Sequence, residues 1–376
     1  MRKFWIAAGL LVALILLWSP LSRLVYAIRI ASTFQQMASG KEGQYPDVRA
    51  TKISRRVGGR EYVALAYRST KAAPTKALIF EPGISELGCY HPKLIALARF
   101  FAEQGLLVIT PDVEEFRHLQ ISAEPIEQFL IWHHEAETMD GAQGARKVGL
   151  AGVSYSGALA LIAAAEPAIR EKAAFVVSIG SYHNLIRCTE LWFSNEPDDK
   201  SAENNSTKLY ARSKFYARWV IMLAALDMLP VERDRIFLKN TLTNLLLQKD
   251  IPQPQQELTS EGTRWYNMAI ARNIMDPELS RAIQKHLAGR LYRRLDPEPA
   301  LRNLHCPVFL IHGAYDDLIP STESLALHHR LPNSELLISP FLTHTQPSNA
   351  KLSWKQKAAA GIDALVFCYS FSKVMR

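Results

Sequence analysis

Cysteine is scarce in this chain: four among 376 residues, at positions 89, 188, 306 and 368. No two of them form a C-x-x-C pair, so the pattern offers neither zinc-ligand spacing nor a redox dithiol. Four scattered cysteines cannot stand in for a hydrophobic core, and buried reduced thiols are the expectation. Internal repeats and low-complexity tracts are absent as well, which excludes solenoids and collagen. No helix-turn-helix, zinc-finger or aromatic-plus-basic strand pattern accompanies the net charge of +8 and the pI of about 9.2. The basic balance therefore does not make a nucleic-acid binder. With 48% hydrophobic and 21% charged residues, the chain carries enough apolar material for a large folded core.

The longest run without charge lies at the start. Arg2 and Lys3 precede Phe4–Trp18, which contains no ionisable residue. A helix over this run would span roughly 22 Å, short of a hydrocarbon core of about 30 Å. Continuing through Leu24–Ala27 would lengthen it, with Arg23 reaching to the interface. Trp5 and Trp18 suit the two interfacial belts. Residues 1–29 are read as a single-pass membrane anchor, with the bulk of the chain on the exported side. A cleaved signal peptide is the competing reading, since Val25 and Ala27 would serve as −3 and −1 residues. The polar stretch 30–46 reads as a linker.

From Asp47 onward the patterns alternate. Val48–Val57 and Glu61–Arg68 flank Gly58-Gly59 as a β-hairpin. Short apolar runs follow at 76–80, 106–110, 148–151, 174–179, 307–311 and 335–339, separated by helical periods. This alternation predicts an α/β fold: a mostly parallel sheet with helices on both faces and the antiparallel hairpin at its start. Residues 181–304 interrupt it with helical patterns and no strand run. A connection this long predicts a helical subdomain inserted between two parts of the core, 47–180 and 305–376.

The chemistry gathers around Gly152-Val153-Ser154-Tyr155-Ser156-Gly157, between a predicted strand and a small-residue helix. Small residues two before and two after a serine allow a strand to turn directly into a helix, lifting the hydroxyl above the sheet edge. Ser154 is the candidate nucleophile; Ser156, which also sits in a small-x-Ser-x-small frame, is the alternative. A serine nucleophile requires a base and an acid that orients it. Asp316 follows the strand 307–311, at the sheet edge where α/β sites form, with Asp317 as its neighbour. Of the histidines that follow, His328 and His329 fall within a helix, whereas His344 lies in a loop after the strand 335–339. His344 is therefore the candidate base. Backbone N–H groups of Tyr155 and Ile84 are the candidate oxyanion donors, the latter from the loop Glu81–Ser85. No cofactor or metal is called for.

The elbow GVSYSG, the acid loop HGAYDDLIP and the late His344 resemble the α/β-hydrolase superfamily, from about Asp47 to the C-terminus. The insertion 181–304 is similar in place to a cap domain. The resemblance implies Ser154 as nucleophile, Asp316 as acid and His344 as base in a serine hydrolase. The expected substrate is a small molecule with a carboxylic ester or related acyl bond; the apolar clusters of the insertion suggest an apolar acyl group, and the nearby membrane segment a lipid-like one. Three positions depart from the family pattern: Pro82 stands where a histidine is common, PDVEEFR lacks the usual glycines, and Ser156 replaces the second elbow glycine. These departures keep open a non-catalytic ligand- or partner-binding protein; an acyltransferase is a further reading, since the same acyl-enzyme could react with an alcohol or amine instead of water.

Overall fold

The computed structural model describes residues 21–33, 44–141, 146–194, 206–254, 257–270, 276–344, 348 and 350–375. The uncharged run Phe4–Trp18 lies outside the described residues. Eight strands form one sheet: β1 (Val48–Val57), β2 (Arg60–Ser69), β3 (Lys76–Glu81), β4 (Leu106–Pro111), β5 (Lys147–Val153), β6 (Ala173–Ile179), β7 (Val308–Gly313) and β8 (Ser334–Ser339). Their spatial order is β1-β2-β4-β3-β5-β6-β7-β8. β1 and β2 form the hairpin, closed by Gly58 and Gly59 at φ 57° and 84°, a conformation that favours glycine. β2 also runs antiparallel to β4, and every pairing from β4 through β8 is parallel.

Three helices precede the elbow within the core: α2 (Pro92–Glu103), α3 (Glu114–Arg117) and α4 (Glu124–Thr138), with α1 (21–33) ahead of the sheet. α5 (Tyr155–Ala165) follows β5. Between β6 and β7 come α6 (Leu185–Trp192), α7 (Ser206–Ala224), α8 (Glu232–Leu246), α9 (Ser260–Ile270), α10 (Pro277–Leu287) and α11 (Arg293–Leu295). No strand occurs there among the described residues. α12 (Ser321–Arg330) and α13 (Trp354–Met375) complete the core.

Burial explains why the central strands read as continuous apolar runs. Every residue of β4 is buried, because helices cover both faces of the sheet. Alternate β3 side chains divide between two clusters: Ala77 and Ile79 pack with α4 and α5, whereas Leu78 and Phe80 pack with α2 and α13. All eleven residues of α5 are buried, so its small side chains allow the helix to lie close against the sheet centre. Gly149 serves the same closeness, since a Cβ there would meet the Phe175 ring at 2.3 Å. The four cysteines are free and buried.

The chain start differs from expectation. The sequence reading ends a membrane segment at residue 29, but α1 runs through that boundary without a break. Its Tyr26, Ala27 and Ile30 are buried in the cluster on the α2 face of the sheet. These residues form one helical stripe, and burial against the domain satisfies it better than lipid. The described helix that is long and apolar enough to cross a bilayer is instead α13. Its C-terminal half, however, is part of the core: the Phe371 ring lies 5.0 Å from Phe309. Lys76 Nζ also donates to the Val374 carbonyl at 2.8 Å. A spanning α13 would forfeit all of these contacts.

Candidate active site

Ser154, Asp316 and His344 converge at the C-terminal edge of the parallel strands, each carried by a different connection. Ser154 sits between β5 and α5 at φ 58°, ψ −123°. An L-residue held there is strained, and local contacts impose the geometry. Ser154 N–H donates to the Ile179 carbonyl at 2.6 Å, tying the turn to β6. A Cβ on Gly152 would lie 2.2 Å from the Ser156 carbonyl oxygen, so that position tolerates no side chain. The Ser156 hydroxyl is fully buried and accepts from Val153 N–H at 3.0 Å. It also lies 3.2 Å from the Glu81 carbonyl and 3.0 Å from the Val153 carbonyl. Ser156 thus stitches the elbow to β3, and its hydroxyl is turned away from the cleft. Of the two serines, Ser154 lines the cavity and Ser156 does not.

Asp316 lies in the turn after β7, with its side chain fully buried. Its carboxylate gathers four donors. Leu318 N–H and Ile319 N–H donate to Oδ1, each at 2.9 Å. His344 Nδ1 lies 2.8 Å from Oδ2, and His312 Nε2 lies 3.2 Å from the same oxygen. Burial alone would raise this carboxyl, but the charges and hydrogen bonds of His344 and His312 outweigh it. They hold it well below the usual carboxylate range.

A carboxylate only accepts, so the His344 proton is on Nδ1 and Nε2 is left to accept from Ser154 Oγ–H at 2.9 Å. Burial would lower the imidazole, but Asp316 overrides it and raises His344 above its ordinary value. Gly180, at φ 60°, passes close beneath the pair; a Cβ there would lie 3.5 Å from Asp316 Oδ2 and 3.7 Å from His344 Nδ1.

The loop after β3 lies against the elbow: a Cβ on Gly83 would be 3.2 Å from the Val153 carbonyl oxygen and 3.4 Å from Ser154 Cβ. Ile84 and Tyr155, the two residues expected to supply oxyanion donors, line the same cavity as Ser154 and His344. Asp317 also lines it, whereas Asp316 makes the bond to His344. His328 is engaged elsewhere, with Nδ1 2.8 Å from Ser334 Oγ.

The cavity measures about 690 Å³. Leu94 and Leu97 of α2 form one wall, and Trp192, Tyr216, Val220 and Ile221 of the inserted helices form another. Two polar contacts hold those helices over the site. Trp192 Nε1–H donates to the Leu318 carbonyl at 2.7 Å, and Tyr216 O–H donates to the Ile84 carbonyl at 3.3 Å. At the root of the insertion the buried Glu323 carboxylate accepts from His183 N–H at 2.9 Å and Asn184 N–H at 3.0 Å. It also accepts from Arg187 Nε at 2.7 Å.

His312 was not among the expected site residues. Its ring is fully buried; Nε2 faces two acceptors, the Ile319 carbonyl at 2.8 Å and Asp316 Oδ2 at 3.2 Å. Nε2 therefore carries the proton, and Nδ1 accepts from Ser324 Oγ at 2.6 Å. The signal in the sequence is the four-residue spacing of His312 and Asp316 across a tight turn. No group of three or more His, Cys, Asp or Glu side chains among the described residues could hold a metal ion.

The strand order and the strand-to-helix elbow define the α/β-hydrolase fold. No family model matches the chain, and no curated protein matches it. Solved structures of similar fold include an esterase, rPPE, at 12% identity and a TM-score of 0.47, covering 92% of this chain and 89% of that one. Est1E from Butyrivibrio proteoclasticus is 13% identical with a TM-score of 0.45, covering 83% of this chain and 96% of Est1E. The 2,6-dihydroxy-pseudo-oxynicotine hydrolase is 15% identical with a TM-score of 0.43, covering 78% of this chain. This chain spans 62% of that hydrolase and 38% of an acylaminoacyl peptidase. At such identities the site has to be read from this chain's own residues.

Proposed function

We propose that the chain is a serine hydrolase that cleaves a carboxylic ester or related acyl bond. The supporting observation is the unbroken relay in which Ser154 Oγ–H donates to His344 Nε2 and His344 Nδ1–H donates to Asp316. Ser154 Oγ attacks the acyl carbon while His344 Nε2 takes its proton. The carbonyl oxygen becomes an oxyanion, stabilised by the N–H groups of Tyr155 and Ile84 and by the N-terminus of α5. The intermediate collapses, the leaving alcohol receives the proton from His344, and Ser154 retains the acyl group. Water then attacks the acyl carbon, losing its proton to His344; the bond to Ser154 Oγ breaks as His344 Nε2 returns that proton to Oγ, and the acid departs. Asp316 remains ionised throughout, holding the imidazole tautomer and balancing its charge.

The inserted helices act as a cap, and the walls they form with α2 favour an apolar acyl group. The test compares hydrolysis of short- and long-chain acyl esters by the wild type and by Ser154→Ala. Loss of about 10⁶-fold in kcat is expected where the nucleophile of such a triad is removed. Fluorophosphonate labelling should stop with Ser154→Ala and persist with Ser156→Ala. Equal hydrolysis by wild type and Ser154→Ala would refute the assignment.

A further inference from the structure

We propose that α1 and α13 together present an apolar surface that rests on a lipid bilayer bearing anionic headgroups. This inference is independent of the hydrolase reading. It begins with the outward stripe of α1. Leu21, Leu24, Val25 and Ile28 are 56%, 37%, 47% and 49% exposed. Their spacing of three and four residues makes one continuous helical face. A surface helix in water places charge there, but this stripe contains none, and Arg23 and Arg29 flank it.

α13 repeats the pattern. Ala360, Phe367, Cys368, Phe371 and Met375 are buried. Outward, Ile362 and Val366 are 63% and 59% exposed one turn apart, and Trp354 is 75% exposed at the start of the helix. Its charged side chains are Lys355, Lys357, Asp363 and Lys373, a cationic excess.

Both helices bury their inner stripes in the same cluster, on the α2 face of the sheet. Their outer stripes therefore face away from the sheet on that side. Exposed apolar surface of this extent marks an interaction site.

Lipid is the occupant whose chemistry fits all parts of the surface. Hydrocarbon matches the two stripes, and anionic headgroups match Arg23, Arg29, Lys355 and Lys357 beside them. The chain itself leads there: the uncharged run Phe4–Trp18 ends three residues before Leu21. A second copy fits less well, because a self-complementary contact would bring these cations together.

The test uses the full chain reconstituted into vesicles of phosphatidylcholine and phosphatidylglycerol. Because the native cysteines are buried, a nitroxide maleimide can be directed to Ile28→Cys, Ile362→Cys or Val366→Cys, with Glu61→Cys on the exposed hairpin as control. Collision of each label with oxygen, which enters lipid, is compared with collision with a water-soluble nickel chelate. A bilayer contact predicts an oxygen-to-nickel ratio severalfold higher at 28, 362 and 366 than at 61. Ratios equal to that at 61 would overturn the proposal. Protection from both reagents would also overturn it: when it grows with protein density it means a second copy, and when it does not, residues 1–20 folded over the face. Replacing phosphatidylglycerol by phosphatidylcholine should lower the ratio at the three sites, and no change would remove the anionic part of the proposal.

Discussion

Replacing His312 by leucine removes one of the four donors to the Asp316 carboxylate. A hydrogen bond to a charged acceptor contributes about 1.5–3 kcal/mol. This one is long at 3.2 Å, and its N–H is shared with the Ile319 carbonyl at 2.8 Å, so the lower end of that range applies. Without this bond Asp316 is held less firmly against His344; were the whole loss felt in the transition state through that misplacement, at about 1.4 kcal/mol per tenfold, kcat would fall roughly tenfold. KM should hold, because His312 is a positioning residue that reaches the reaction only through Asp316. Oδ2 would then serve His344 alone, its negative charge less dispersed, and the imidazolium would be favoured further. The acid limb of the pH profile should move to higher pH. Stability should fall as well, since the Ile319 carbonyl and Ser324 Oγ each lose a buried partner at a cost of about 1–3 kcal/mol. His312→Gln, which keeps an N–H donor, should recover part of the rate and of the pH shift. The assay is ester hydrolysis across the acid limb for wild type, Leu and Gln variants, with thermal unfolding measured in parallel. If the leucine variant loses stability but keeps both kcat and the position of the acid limb, the positioning role is refuted.

Four further outcomes follow from the geometry. Because His344 must be neutral to accept the Ser154 proton, kcat/KM of the wild type should fall as pH drops through a value above 6.5; an acid limb below that value would contradict the Asp316 contact. The same pair bears on stability with opposite signs. The raised His344 contributes stability that is full below 6.5 and lost as pH rises through its folded value, while the depressed Asp316 contributes stability present above 3.8 and lost as pH falls through its own. Gly152→Ala should cost at least about 1–3 kcal/mol through overpacking, since its Cβ would collide with the Ser156 carbonyl; an unchanged unfolding midpoint would mean that the elbow backbone relaxes freely. Glu323→Ala should release the half-exposed Arg187 and leave the His183 and Asn184 N–H groups without their acceptor, destabilising by about 1–3 kcal/mol; hydrogen exchange should rise first at residues 183–187.

Much of the core was legible because its signals are local. Buried parallel strands appear as short apolar runs, and the elbow requires small residues at fixed offsets from Ser154. His344 could be separated from His328 and His329 because a base has to come from a loop at the sheet edge. What stayed hidden depends on distant partners. The four-residue spacing of His312 from Asp316 hints at their contact, but the burial of the ring and its bond to Ser324 depend on a helix further along the chain. Nothing around Glu323 announces a carboxylate that ties down residues more than a hundred positions earlier. α1 was obscure for a different reason: both of its faces are apolar, so the period that separates a buried stripe from an exposed one vanishes. α5 begins already at Tyr155, because the strained Ser154 delivers the chain directly into the helix.

β6 and β7 are neighbours in the sheet, yet the whole helical insertion lies between them in the chain. The entropy of closing a connection rises only with the logarithm of its length, about 0.6 kcal/mol for each doubling. Helices could therefore be added to or removed from this segment at small cost to the pairing of the two strands. The sheet edge carrying Ser154, Asp316 and His344 is thereby insulated from changes in the segment that forms one wall of the cavity. Drift in that segment can alter which molecules enter while the bond-breaking apparatus beneath it stays as it is.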